Sequence, residues 1–188
     1  MKTKPTNMEI EQALNVAPMF IDFEASSLTA NSYPIEVAWT DSAGEIETHL
    51  ISPKECADWT DWNEESAWIH KIRHCQLLED GKTISWMCDL LTEKLANQTL
   101  YSDAPKHDTF WLYRLFEARD LELPNITIKH MDSLMAGILA ARDHSADEIK
   151  EKLADFKRIA RFRVAGEHRA HLDARYLYEI WSLASGHN

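Results

Sequence analysis

The sequence predicts an α/β fold with a mixed central sheet, on three observations. Three short strand-like runs come first, with links short enough for an antiparallel meander. Amphipathic helical stripes then alternate with two further strand-like runs, an order that adds parallel strands to the meander and places helices on its faces. The earliest strand carries two carboxylates among apolar neighbours, which a core strand holds only if something compensates them.

Taken in order, residues 1–17 lack the apolar core of a signal peptide and are interrupted by Glu9 and Glu11. They are expected to be a loose tail or a short helix. Residues 18–188 read as one domain, because 188 residues suit a single substantial core and no repeat or low-complexity segment divides them. Met19 to Phe23 is the first strand, and Ser26 to Tyr33 a polar turn segment. Ile35 to Thr40 is the second strand. Asp41-Ser42-Ala43-Gly44 is a hairpin turn signal, after which Glu45 to Ile51 returns as the third strand and stops before Pro53. Cys56 to Glu65 is acidic and Trp-rich, a surface loop leading into a short helix over about Glu64 to His70. The stripe Ile84, Met87, Leu91 and Leu95 predicts a helix from Thr83 to Asn97. Thr99 to Ser102 is the fourth strand, followed by a helix that Asp108 opens and that runs to about Arg119. Thr127 to Met131 is the fifth strand. Helices follow over Ser133–Ala141, Ala146–Ala160 and Arg169–Leu183, the second with Ile149, Leu153, Phe156 and Ala160 on one face.

Composition excludes several function classes. A net charge of −11 argues against wrapping long nucleic acid on a basic surface. With five glycines and no GxGxxG or Walker pattern, there is no glycine-rich phosphate loop. Cys56, Cys75 and Cys88 form no CxxC pair, as expected for reduced thiols in a cytoplasmic protein. No stretch is long and apolar enough to span a membrane.

Four acids stand where apolar side chains are expected. Strand alternation puts Asp22 and Glu24 on one face with Phe20, opposite Met19, Ile21 and Phe23. Asp108 falls on the stripe of Trp111, Leu112, Leu115 and Phe116. Asp173 lies beside Ala170, Ala174, Leu177 and Trp181. Taken singly, Asp108 and Asp173 are ordinary first-turn helix acids favoured by the helix dipole. Four converging carboxylates repel, and their natural compensation is a hard divalent cation, magnesium or manganese.

The order and spacing of these residues resemble the histidine-type DEDD (DEDDh) 3′–5′ exonuclease family, within the ribonuclease H-like superfamily. Asp22-Phe23-Glu24-Ala25-Ser26-Ser27-Leu28 resembles its first motif, and His168-Arg169-Ala170-His171-Leu172-Asp173 its third, with four residues between His and Asp. The middle motif, Asn-x-x-x-Asp after an aromatic, matches at Asp108 only; Ala104 and His107 occupy its other positions. Trp68-Ile69-His70-Lys71-Ile72 is similar to the family's Ile-His-Gly-Ile segment, with Lys71 in place of Gly.

The resemblance implies a ribonuclease H-like fold and a two-metal phosphodiester hydrolase that trims nucleic acid from its 3′ end. Asp22, Glu24, Asp108 and Asp173 are the implied ligands of two Mg2+ or Mn2+ ions. His168 is the implied general base. Ser26 and Ser27 are candidates for the terminal sugar, Leu28 for an apolar wedge, and Trp68 and His70 for further substrate contacts. Five residues span about 500° of helix, so His168 and Asp173 share a target only if His168 precedes the last helix, on the loop after Val164-Ala165-Gly166. The implied partners are short or single-stranded 3′ ends, with a homodimer compatible and no membrane partner. Arg158, Arg161 and Arg163 form a basic run that either grips phosphate or is a solvated helix end. Two other classes are weighed: a non-catalytic nucleic-acid-binding module on the same fold, and a zinc hydrolase using His168, His171 and Asp173, which lacks a convincing further ligand.

Overall fold

A computed structural model describes residues 5–166 and 168–187. The chain runs α1 (Asn7–Ala13), β1 (Met19–Ala25), β2 (Pro34–Thr40), β3 (Ile46–Leu50), a 3-10 turn (Pro53–Glu55), α2 (Glu64–His70), α3 (His74–Asp80), α4 (Ile84–Leu95), β4 (Thr99–Ser102), α5 (Pro105–Glu117), β5 (Thr127–His130), α6 (Met131–Ala140), α7 (Ala146–Arg163) and α8 (Ala170–Ser185). The five strands form one mixed sheet in the order β3-β2-β1-β4-β5. β1 pairs antiparallel with β2, and β2 with β3; β4 runs parallel to β1 and to β5. This is the expected meander with parallel strands added.

The hairpin between β2 and β3 turns where the Asp41 signal placed it. Asp41 Oδ1 accepts from the N–H groups of Ala43 (2.8 Å) and Glu45 (2.9 Å), fixing the chain reversal. Gly44 has φ +81°, and the Tyr178 ring of α8 lies where a Cβ would project. Only glycine meets both demands.

The sheet separates two apolar cores. Ile21, Phe23 and Ala25 leave one face of β1 to pack with Met87 and Leu91 of α4 and Trp111 and Leu115 of α5. Phe20 leaves the other face to join Leu134 and Ile138 of α6 and Leu177 and Ile180 of α8. Asp22 and Glu24 share the second face with Phe20. There Ala38 of β2 packs against Ala170 and Ala174 of α8, and three methyl side chains let the helix lie close to the sheet. The segment before β1 takes the short-helix form: α1 begins with a Thr6/Glu9 capping box and seats Ala13 in the second core.

Element boundaries differ from the sequence reading for local reasons. α5 begins three residues before Asp108, at Pro105, whose missing N–H costs nothing in a first turn. α6 begins at Met131, because His130 Nδ1 accepts from Asp132 N–H and caps it. α7 continues past Ala160 to Arg163. α3 was not foreseen; it makes two turns and buries only Leu77, so it has no stripe to read. The Trp-rich stretch is not all surface loop. Trp59 is buried and stacks on Tyr33 at 4.9 Å, Trp62 packs on the first core, and Trp68 is 74% exposed.

Candidate metal centre

β1 and β4 are paired only at Met19↔Leu100 and Phe20↔Tyr101. Asp22 and Glu24 therefore stand beyond the last parallel pair, at the carboxyl end of β4, where an open sheet offers a cleft. Across β2, Asp22 faces Ala38 and Glu24 faces Glu36. α8 starts alongside and delivers Asp173 from its first turn. Asp22, Glu24 and Asp173 each offer a carboxylate oxygen, and these lie within 4.8 Å of one another.

Asp108 reaches the same place from the opposite side of the sheet. It is buried at the start of α5, and its carboxylate accepts from the Ser102 hydroxyl. Ser102 Oγ in turn accepts from Ala104 N–H at 2.9 Å. Ser102 thus ties the end of β4 to α5 and orients the acid, in a motif whose Asn and aromatic positions hold Ala104 and His107. Asp108 stands outside the group of three but is the charge that acts most strongly on Asp22. Burial, then Asp108, Asp173 and Glu24, hold the Asp22 carboxyl well above its usual range.

The other acids respond in the same way. Burial, then Asp173 and Glu36, push Glu24 up to about 8. Burial, opposed by the Ser102 hydrogen bond, leaves Asp108 at about 7. Asp103, in the turn after β4, is raised by burial and by Asp173, and it also acts on Asp22. It is a fifth acid that the sequence reading passed over, although it sits inside the middle motif. Arg161 Nη1 lies 3.2 Å from Asp173 Oδ1, and the guanidinium stacks over Tyr176 at 4.0 Å. Of the basic run, Arg163 pairs with Glu179 and Arg158 with Asp155.

His168 lies exposed on the loop between α7 and α8, beside this cluster in sequence and ahead of the helix bearing Asp173. His171, on α8, is partly buried, and its Nδ1 has no hydrogen-bond partner among the described residues. Ser26 and Ser27 are buried with their hydroxyls in use. Ser26 Oγ accepts from Tyr33 N–H at 3.0 Å, and Ser27 Oγ donates to the Asp61 carboxylate. Leu28 is 77% exposed at the tip of the same turn. His70 is buried. Its Nδ1 accepts from Ile72 N–H at 3.0 Å, so the proton sits on Nε2, which has no partner among the described residues. Burial lowers His70 to about 4 and keeps it neutral. Lys71 closes α2 in the left-handed conformation, φ 57°, the position for which a helix C-terminus favours Gly. Its Nζ sits 3.8 Å above the Trp68 ring.

The residues suit hard divalent cations. Three carboxylates meet, Asp108 and Asp103 act on them from beside the group, and burial together with mutual repulsion raises the proton affinities of Asp22 and Glu24, a load that a divalent cation would relieve. No sulfur joins the set; the cysteines, all free, lie elsewhere.

The sheet order and its flanking helices are those of a ribonuclease H-like fold, with a carboxylate cluster at the ends of its parallel strands. No protein-family model matches the chain, and no curated protein matches it in sequence. Among solved structures it is similar to Escherichia coli exonuclease I in complex with a dT13 oligonucleotide, at 14% identity and TM-score 0.62, over 89% of this chain and 40% of that one. It is similar to a product-bound exonuclease I, at 13% identity and TM-score 0.61, over 88% of this chain and 42% of that one. A moderately thermophilic exonuclease I from Methylocaldum szegediense gives 14% identity and TM-score 0.57, over 87% of this chain and 40% of that one. The chain thus spans about two fifths of the length of these enzymes, and at this identity the likeness is one of fold. No helix among the described residues is long and apolar enough to cross a membrane.

Proposed function

We propose that this chain is a metal-dependent 3′–5′ exonuclease that removes nucleotides from single-stranded or short nucleic acid. The observation that carries the reading is the convergence of Asp22, Glu24 and Asp173, with Asp108 behind Asp22, on the fold of exonuclease I. Further support comes from the neighbours themselves, which include complexes with dT13 and dA16 oligonucleotides.

Asp22 would be a ligand at the centre of the set, since the other acids act on it. Glu24, Asp108 and Asp173 complete the set. Two divalent cations bound there would supply Lewis-acid charge at the scissile phosphate and the departing oxygen. The chain's own groups do the rest. The His168 imidazole takes a proton from the attacking water, whose oxygen forms the new bond to phosphorus. The bond from phosphorus to the 3′-oxygen of the preceding nucleotide breaks in line. That oxygen takes up a proton, leaving a strand shorter by one and a nucleoside 5′-monophosphate. Leu28 wedges against the terminal bases, and Trp68 offers an exposed face for stacking. The buried His70 Nε2–H is a donor awaiting an acceptor, and substrate oxygen suits it. The Ser27 hydroxyl proton is engaged by Asp61, so sugar contacts there fall to the backbone amide, while the Ser26 hydroxyl, an acceptor from Tyr33 N–H, still carries a proton to donate.

The test is incubation of 5′-end-labelled DNA and RNA of equal sequence with magnesium, manganese or chelator. A ladder shortening from the 3′ end, abolished by chelator, is expected. Binding without shortening under any metal would leave the non-catalytic module standing instead. The same assay decides between RNA and DNA.

A further inference from the structure

Glu36 is a charged residue in the middle of an apolar strand, between Ile35 and Val37, with a side chain 2% exposed. Its carboxylate accepts three hydrogen bonds: from Arg169 Nε at 3.0 Å, from Arg169 Nη2 at 2.6 Å and from Ala170 N–H at 3.0 Å. The first two form a planar fork on the carboxylate. The third satisfies one of the unpaired N–H groups that open α8. Arg169 is the N-cap of that helix and has no side-chain oxygen to offer it. Glu36, 133 residues away in sequence, does the capping from the sheet.

Stability alone is a poor reason for such a pair. Burying the Glu36 carboxylate costs several kcal/mol, on the order of what its attraction to the part-exposed Arg169 returns, and an apolar pair of equal volume often does as well. Its position gives a better one. Glu36 lies directly across from Glu24. Arg169 follows His168, and Asp173 comes within the first turn after Ala170. One anchor therefore joins β2, the strand paired with the one bearing Glu24, to the loop bearing His168 and the helix bearing Asp173. We infer that Glu36 and Arg169 are a positioning pair that sets Asp173 against Asp22 and Glu24 and holds the His168 loop at the site. The part concerning His168 rests on the exonuclease reading; the part concerning Asp173 does not.

Charge and position separate by design. Glu36→Gln alone leaves an uncompensated cation beside the acids and weakens metal attraction; Arg169→Gln alone leaves an anion and strengthens it. The double variant Glu36→Gln/Arg169→Gln keeps the net charge, so any loss it shows is positional. The readouts are Mn2+ affinity by calorimetry, kcat and KM on a labelled oligonucleotide, and the melting temperature. Outer-shell partners of metal ligands typically govern 10–100-fold in affinity or activity. The double variant should bind Mn2+ about tenfold more weakly and lose about a hundredfold in kcat, with KM within about threefold of the parent. Arg169→Lys, which keeps the charge and the Ala170 cap but not the fork, should fall between; it carries the test if the double variant does not fold. Parental Mn2+ affinity in the double variant, or in Arg169→Lys if that stands alone, overturns the inference. So does a kcat loss that only tracks the fraction unfolded. Should the parent lack nuclease activity, the exonuclease reading fails by itself, and the Mn2+ arm still decides whether the pair positions Asp173.

Discussion

Asp108 and Asp173 come from two helices to the same strand, and they are held in opposite ways. Asp108 is buried and held by a neutral donor, the Ser102 hydroxyl. Asp173 is 18% exposed and faces a guanidinium, Arg161, that is itself 53% exposed. A buried hydroxyl cannot leave, so Asp108 is fixed whether or not a cation is present. A solvated arginine can swing away, so Asp173 is the acid that can exchange one positive partner for another. The site has a rigid side built into the α5 core and an adjustable side at the α7–α8 loop, where His168 also lies.

The largest effect should ignore that difference. Asp22→Ala, Glu24→Ala, Asp108→Ala and Asp173→Ala should each cut turnover by more than about a thousandfold, with double variants little worse than single ones. His168→Ala should lose about 10²–10⁴-fold while keeping Mn2+ binding, and His171→Ala far less. Retained turnover in two of the four acid variants would break the idea that both sides serve one centre.

Stability should then separate the two sides. Ser102→Ala strips the donor from a buried carboxylate and should cost about 1–3 kcal/mol in urea denaturation. Arg161→Ala breaks a solvated pair and should cost less than about 1 kcal/mol. Equal costs would mean that Asp173 is held as firmly as Asp108.

Proton affinity sharpens the comparison. Glu24 at about 8 and Asp108 at about 7 bind protons more tightly in the folded chain than in the unfolded one. The stability they contribute is therefore full below their unfolded values near 4 and drains away as pH rises through 7 and 8. Without metal, the melting temperature should fall between pH 5.5 and 8.5. Added Mn2+ should raise it more at the upper pH, because fewer protons must be displaced. An equal gain at both values would show that the ion is not bound by these acids.

The smallest effect lies outside the centre, at Lys71. Its left-handed backbone costs about 1–2 kcal/mol, part of which the extra freedom of an unfolded Gly offsets. Lys71→Gly should raise stability by roughly 0.5 kcal/mol, with turnover unchanged unless the Trp68 face depends on the lysine above it. Chemical denaturation and the strand-shortening assay read the two together.

By itself the sequence determined the strand-and-helix order, the hairpin at Asp41 and that Asp22, Glu24, Asp108 and Asp173 are out of place, because period, turn chemistry and misplaced charge are local properties of the chain. The short α3 left no such signal, since two turns bury a single leucine. Glu36 left one that went unread: a carboxylate amid Ile35, Val37 and Trp39 is as anomalous as Asp22. What that carboxylate does was settled only by folding, because its partners Arg169 and Ala170 lie across the sheet at the far end of the chain. The same holds for the basic run, which pairs with acids rather than standing open, and for the three tryptophans, which divide between core, core edge and solvent. Local patterns say which residues are out of place. Which other residue answers each of them depends on long-range packing, and only the tertiary structure decides it.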